Sequence, residues 1–313
     1  MCHILAPLGY THSARLAVAH SETLTRSVIV SLAPLGYNSR MFTAVVFGAF
    51  GLIVGSFLNV LIIRWGTRSL AGRSACMSCG RTIPWHDLVP VLSWILLGGK
   101  CRLCGSPISL QYILVEAGTG LLFFIIGLAP LPLYAHLFAL PIAAILLAIA
   151  VYDLKHTLIP DAWVYVFAAF SLVVSLTAAS SDMLYGVLTI LLAGPVVAAP
   201  LFAFWFFSKG AWMGFGDVKL ALGMGWLLGA GDGMFALFFA FMLGALVSVP
   251  LLFFSSPVWV RIQRAITPNR SSQRFMFGFT MKSEIPFGPF LVAATLIVWI
   301  SSMHGFAPID LIV

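Results

Sequence analysis

The sequence predicts an all-α, polytopic membrane helical bundle of about eight transmembrane helices, interrupted once by a small polar loop domain. Composition carries the first half of that prediction. Of 313 residues, 61% are hydrophobic and only 9% charged, with a mean hydropathy of +1.04, against the roughly 25% charge of soluble domains. Patterning carries the second half. The apolar residues gather into runs of helical length, and no strand-period alternation long enough for a barrel occurs. Inside lipid the backbone must then be satisfied within helices.

Taken in order, the runs cover about 41–63, 112–129, 133–152, 162–180, 183–207, 217–230, 234–254 and 287–302. Most approach the ~20 residues that cross a bilayer, while the sixth and eighth are short. Residues 1–40 hold no spanning run and no convincing signal peptide, since Val28 to Leu35 is short and broken by Ser31. A repeat, Leu-Ala-Pro-Leu-Gly-Tyr, stands at 5–10 and again at 32–37. With Met41 opening the first run, 1–40 reads as an N-terminal extension of doubtful status, either an over-extended start or a tail, and its Cys2 as incidental. The expected organisation is therefore 1–40, a first transmembrane helix at 41–63, a loop domain at 64–110 and a helical bundle at 111–313.

Charge placement sets the topology. A net charge of +7 would suggest nucleic acid in a soluble chain, but no basic run with interleaved aromatics occurs, and nucleic acid is excluded as a partner. All fourteen Lys and Arg after Met41 fall in alternate loops or at their edges: Arg64 to Arg102, Lys155, Lys209 and Lys219, and Arg261 to Lys282. The intervening loops and the C-terminal tail have none. Basic loops face the cytoplasm.

The first cytoplasmic loop contains Cys76-Met77-Ser78-Cys79 and Cys101-Arg102-Leu103-Cys104, with 21 residues between the pairs. Two such knuckles, each followed by a glycine (Gly80 and Gly105), match a tetrahedral four-thiolate zinc site. Disulfides are disfavoured on the cytoplasmic side. Between the pairs, Ile83 to Trp94 is either an interfacial segment with its tryptophans at headgroup depth or the core of the zinc domain. His86 and Asp87 are expected to be solvated, because four cysteines already fill the coordination sphere.

Charged residues at the membrane are costly and mark chemistry. Gly214-Phe215-Gly216-Asp217-Val218-Lys219 opens the sixth run, and Asp153 closes the third. Because those two runs have opposite directions, both carboxylates lie at the cytoplasmic face. Asp217 could simply cap its helix. Paired with Asp153, it could share one proton, activate a water and protonate a leaving amine. Asp161, after Pro160, occupies an N-cap position, and Lys155 and His156 are expected to be exposed. Glu116 lies one turn inside the second run, where it serves either as a charge at a helix start or as a polar contact to something bound, which makes it a candidate cofactor-binding residue. Other classes remain open at this point: a proton-coupled transporter with Asp153 and Asp217 as relay carboxylates, or a non-catalytic assembly scaffold.

From Met41 onward the chain resembles the prepilin peptidases, membrane aspartic peptidases of type IV pilus and type II secretion systems. The matching pieces are Gly55 to Val60 with Arg64; the four cysteines with Pro90 to Trp94 and Gly99-Lys100; Tyr112 with Val115-Glu116; Asp153 with Ile159 to Asp161; Gly214 to Lys219; and Glu284 to Pro289. The resemblance implies that Asp153 and Asp217 are the catalytic pair, supported by Gly214, Gly216, Lys219 and Asp161. It implies an enzyme of the bacterial inner membrane that cleaves a basic leader from prepilins or pseudopilins after glycine. In many members S-adenosylmethionine-dependent methylation of the new N-terminal amine follows. The stretch from Arg64 to Cys76 is shorter than in many members, and no glycine-rich nucleotide fingerprint is visible. Nothing in the sequence sets the oligomeric state or the pilin that is cut.

Overall fold

The computed structural model describes residues 39–67, 69–177, 183–255 and 286–306. The extension at 1–40, apart from Ser39 and Arg40, lies outside the described residues, as do the basic loop from Arg261 to Lys282 and Glu284. The helices are α1 (Ser39–Arg64), α2 (Leu92–Leu96), α3 (Leu110–Leu128), α4 (Leu133–His156), α5 (Asp161–Thr177), α6 (Met183–Ser208), α7 (Phe215–Ser255) and α8 (Gly288–Met303). Among the described residues β structure is limited to two isolated bridges, Ala75 with Thr82 and Lys100 with Pro107.

Five helices are long and apolar enough to cross a membrane, namely α1, α3, α4, α6 and α7, while α5 and α8 are shorter apolar helices. The sixth and seventh runs form one element, α7, with a break at Gly229. There φ is 81° and ψ 176°, a conformation open to glycine and strained for residues with a Cβ. The two runs thus stay distinct as two helical segments without a connecting loop.

Local sequence sets the helix ends. Ser109 caps α3 by accepting the Gln111 N–H at 3.2 Å. Pro132 precedes α4, and Thr157 ends it in the left-handed region at φ 50°. Helix α1 meets α3 through small residues. A Cβ at Gly51 would lie 2.7 Å from the Thr119 carbonyl oxygen, and one at Gly55 would lie 2.7 Å from the Glu116 Cα. In lipid, where apolar burial gives no drive between helices, such close backbone approach is what holds a pair together.

Helix α7 packs on α5, α6 and α8, and α4 packs on α3, α5 and α8. Ile142, Leu146 and Ile149 of α4, Leu220 and Met224 of α7 and Leu291 of α8 are fully buried. These central helices bring the last turn of α4, the first turn of α7 and the start of α8 to one end of the bundle. The cysteine loop, between α1 and α3, lies at that same end.

Candidate active site

Asp153 and Asp217 are buried at this end, 4% and 7% exposed. They come from antiparallel positions, the last turn of α4 and the first turn of α7, close enough for the charge of Asp153 to act on Asp217. Asp217 is the third residue of α7, and its carboxylate receives the backbone amide of Gly214 just before the helix, as an N3 side chain does in a capping box. Capping therefore occupies one oxygen. The other, Oδ1, is buried without a hydrogen-bond partner.

The Asp153 carboxylate lies against the backbone amide of Gly288. That contact requires glycine, because a Cβ at Gly288 would stand 2.5 Å from Asp153 Oδ2. Ile159 completes the enclosure. It lies 3.0 Å (Cβ) from where a Cβ on Gly216 would sit, and 3.1 Å (Cδ1) from one on Gly288. One aliphatic side chain is thus wedged between the two elements that carry the aspartates. The roles of Gly288 and Ile159 were not read from the sequence; the only signal was the pair of prolines flanking Phe287-Gly288 and the Ile159-Pro160 pair before α5.

Asp161 departs from the expected N-cap. It is the first residue of α5, and its carboxylate pairs with Lys219 Nζ at 2.8 Å. The ammonium also lies over the rings of Tyr165 and Phe215, 5.5 Å and 5.1 Å from their centroids. Lys219 therefore fastens the start of α5 to the start of α7, which holds Ile159 in place. Lys155 and His156 are exposed as expected, with His156 4.4 Å from the Tyr152 ring.

The four cysteine sulfurs lie within 4.8 Å of one another, Cys76 and Cys104 at 3.8 Å. A tetrahedron with metal–sulfur bonds near 2.3 Å has edges of about 3.8 Å, so the cluster can hold a metal ion. The amides of Cys79 and Ser78 point at Cys76 and lower its thiol to about 6. The Ser106 hydroxyl lowers the Cys104 thiol. Both effects favour the thiolate that a metal requires.

Asp87 is not solvated, contrary to expectation. Its side chain is 6% exposed and accepts three bonds from Arg102, at 2.7 Å, 3.0 Å and 3.2 Å. The guanidinium holds this carboxyl below the usual range. His86 is exposed, and neither residue belongs to the cysteine cluster. The Trp85–Leu88 turn and α2 bury no residue, and Trp85 and Leu96 are 80% and 75% exposed. That fits an interfacial segment and not a domain core.

Glu116 contacts this segment. Its buried carboxylate accepts the Val91 N–H at 2.7 Å, and the Ser56 hydroxyl of α1 faces it. Of the two roles the sequence left open, polar contact is the one observed, with the loop itself as partner.

Two family descriptions match the chain: "Bacterial Peptidase A24 N-terminal domain" over residues 49–129, and "Type IV leader peptidase family" over residues 140–249. A "Prepilin leader peptidase/N-methyltransferase" of Klebsiella pneumoniae is 31% identical over 186 residues, 56% of this chain and 82% of the relative. The chain belongs to the type IV leader peptidase family. A protein of the same name from Pectobacterium carotovorum is 34% identical over 223 residues, 60% of this chain and 77% of the relative. Another, from Myxococcus xanthus, is 41% identical over 127 residues, but these span 40% of this chain and only 38% of that relative. No solved structure matches. Within the family assignment, the first matched segment holds the cysteines and Glu116, and the second holds Asp153, Asp161, Asp217 and Lys219. Gly288 lies beyond both.

Proposed function

We propose that this chain is a membrane-embedded aspartic endopeptidase that removes the basic leader from type IV prepilins or pseudopilins at the cytoplasmic face of the bacterial inner membrane. It also N-methylates the new terminal residue, with S-adenosylmethionine as the source of the methyl group. The observation that carries the reading is the pair of buried carboxylates at one end of the bundle, with Asp217 Oδ1 left without a partner.

Hydrolysis needs the two groups in opposite protonation states. One takes a proton from water as the oxygen attacks the scissile carbonyl, and the other gives a proton to the departing amine. Burial against Ile159 and Gly288 keeps bulk water away and strengthens the electrostatics. A prepilin is an apolar helix with a basic leader, so its scissile bond sits at the interface where Asp153 and Asp217 are placed. Among the described residues, Lys155 at the end of α4, Lys209 at the end of α6 and the basic residues of the cysteine loop share that end, which supports the cytoplasmic orientation. Relay carboxylates of a transporter would be expected nearer mid-membrane. The four thiolates hold zinc in a structural role, because four protein ligands leave no open position for catalysis.

The experiment is incubation of purified, zinc-loaded protein in nanodiscs with a prepilin, followed by gel mobility and intact mass. Loss of the leader is expected. An uncleaved prepilin, together with proton-driven uptake in vesicles, would replace the peptidase by the transporter.

A further inference from the structure

The end of the bundle that holds the aspartates is basic, and a basic leader has to approach it. Arg64, Lys155, Lys209 and the cationic residues of the cysteine loop all stand there. Their field repels such a leader unless an acid at the site receives it. Among the described carboxylates at this end, Glu116, Asp153 and Asp217 are buried, and the buried Asp87 side chain is taken by Arg102. Only Asp161 is open, 57% exposed.

The surroundings of Asp161 suit a cation. Lys219 Nζ lies 2.8 Å from Asp161 Oδ1, and 5.5 Å and 5.1 Å from the ring centroids of Tyr165 and Phe215. One acid and two aromatic rings thus converge on an ammonium that the chain itself supplies, which shows the chemistry this spot accepts. One ammonium does not saturate it. A carboxylate has about four lone-pair sites, and the acid and both rings remain exposed. The cluster also borders the catalytic pair. Asp161 lies two residues after Ile159, the side chain wedged between Gly216 and Gly288, and Phe215 lies two residues before Asp217.

We propose that Asp161, with the exposed rings of Tyr165 and Phe215, receives a lysine or arginine of the substrate's leader and so sets the preference for basic leaders. The proposal rests on the peptidase reading given above. A leader cation gains a carboxylate shared with Lys219 and an aromatic ring, whereas a neutral leader gains neither. The contact makes no bond to the reacting carbonyl, so it stabilises substrate and transition state alike and acts on KM.

The test measures kcat and KM on the full chain, zinc-loaded, in nanodiscs, with two prepilins: one with its basic leader and one with every leader lysine and arginine changed to glutamine. Wild type should show a KM about fivefold lower for the basic leader, the scale of one exposed ion pair. Asp161→Asn should raise KM for the basic leader to the neutral value, with kcat and the neutral leader unaffected, and Asp161→Glu should restore the difference. Lys219→Met breaks the same internal ion pair but keeps the acid. Any loosening of α5 against α7 then weakens both leaders equally, and the preference for the basic one persists. A purely structural Asp161 would behave like Lys219→Met, so a preference that survives Asp161→Asn overturns the leader contact. A wild-type protein that cuts neither prepilin refutes the peptidase reading itself.

Discussion

Gly288 tests the geometry of the aspartate pair more finely than removal of a carboxylate does. A Cβ at this position would stand 2.5 Å from Asp153 Oδ2 and 3.1 Å from Ile159 Cδ1, where ordinary contact begins at 3.4 Å. Ile159 is itself fixed against Gly216, so relief must come from the carboxylate moving by about 0.9 Å, away from the Gly288 amide. A displacement near 1 Å costs on the order of 10²-fold in rate, or about 2.7 kcal/mol of barrier. Gly288→Ala should therefore cut kcat/KM for prepilin cleavage about 10²-fold, measured by quantitative gel shift. Its thermal midpoint should fall modestly, because overpacking costs about 1–3 kcal/mol while alanine at the start of α8 returns at most about 1 kcal/mol of helix propensity. Gly214→Ala is the control: there a Cβ would lie 3.7 Å from Asp217 Oδ2, an ordinary contact, and activity should stay within about threefold. Cleavage by Gly288→Ala within threefold of wild type would show that Asp153 is not held where the structure places it.

Three further outcomes follow. Asp161→Asn removes an ion pair whose acid is 57% exposed, so the loss of stability should be at most about 1 kcal/mol and cleavage should fall by less than tenfold; a loss as deep as that of an aspartate-pair variant would give Asp161 a direct chemical role. Cys76→Ser with Cys79→Ser should abolish bound zinc by elemental analysis and loosen residues 64–110, yet retain more cleavage than Asp217→Asn, and stoichiometric zinc in that variant would rule out the four-thiolate site. The Asp87 carboxyl is held low by Arg102, so its contribution is present above the unfolded value near 3.9 and is lost as pH falls through the lower folded value; hydrogen exchange of the loop in Asp87→Asn should exceed wild type equally at pH 7 and pH 5, and a difference that shrinks between them would contradict the pairing.

Much of the bundle is legible in the sequence because a bilayer imposes one length scale and one polarity on every span. The cysteine cluster is legible because knuckle spacing is local. Asp153 and Asp217 come together by parity alone: a carboxylate ending an inward helix and one opening an outward helix must share a face. What the sequence hides are contacts between distant segments that leave no periodic trace. Lys219 with Asp161, Ile159 between two glycines and Glu116 with the Val91 amide are of this kind. Asp87 was misread for the same reason, since its partner Arg102 lies across the loop. The break at Gly229 is half legible: the Gly-Ala-Gly-Asp-Gly stretch marks an interruption, but not that the chain passes through it within one element.

The most direct measurement compares Asp153→Asn and Asp217→Asn with wild type, each in nanodiscs at matched zinc content, for removal of the leader from a prepilin. Each substitution keeps the volume of the side chain and removes the titratable group, so neither enzyme can act as both acid and base in one cycle. Both variants should remain folded and show no leader removal over times in which wild type goes to completion. Near-normal cleavage by either one would contradict the two-carboxylate mechanism.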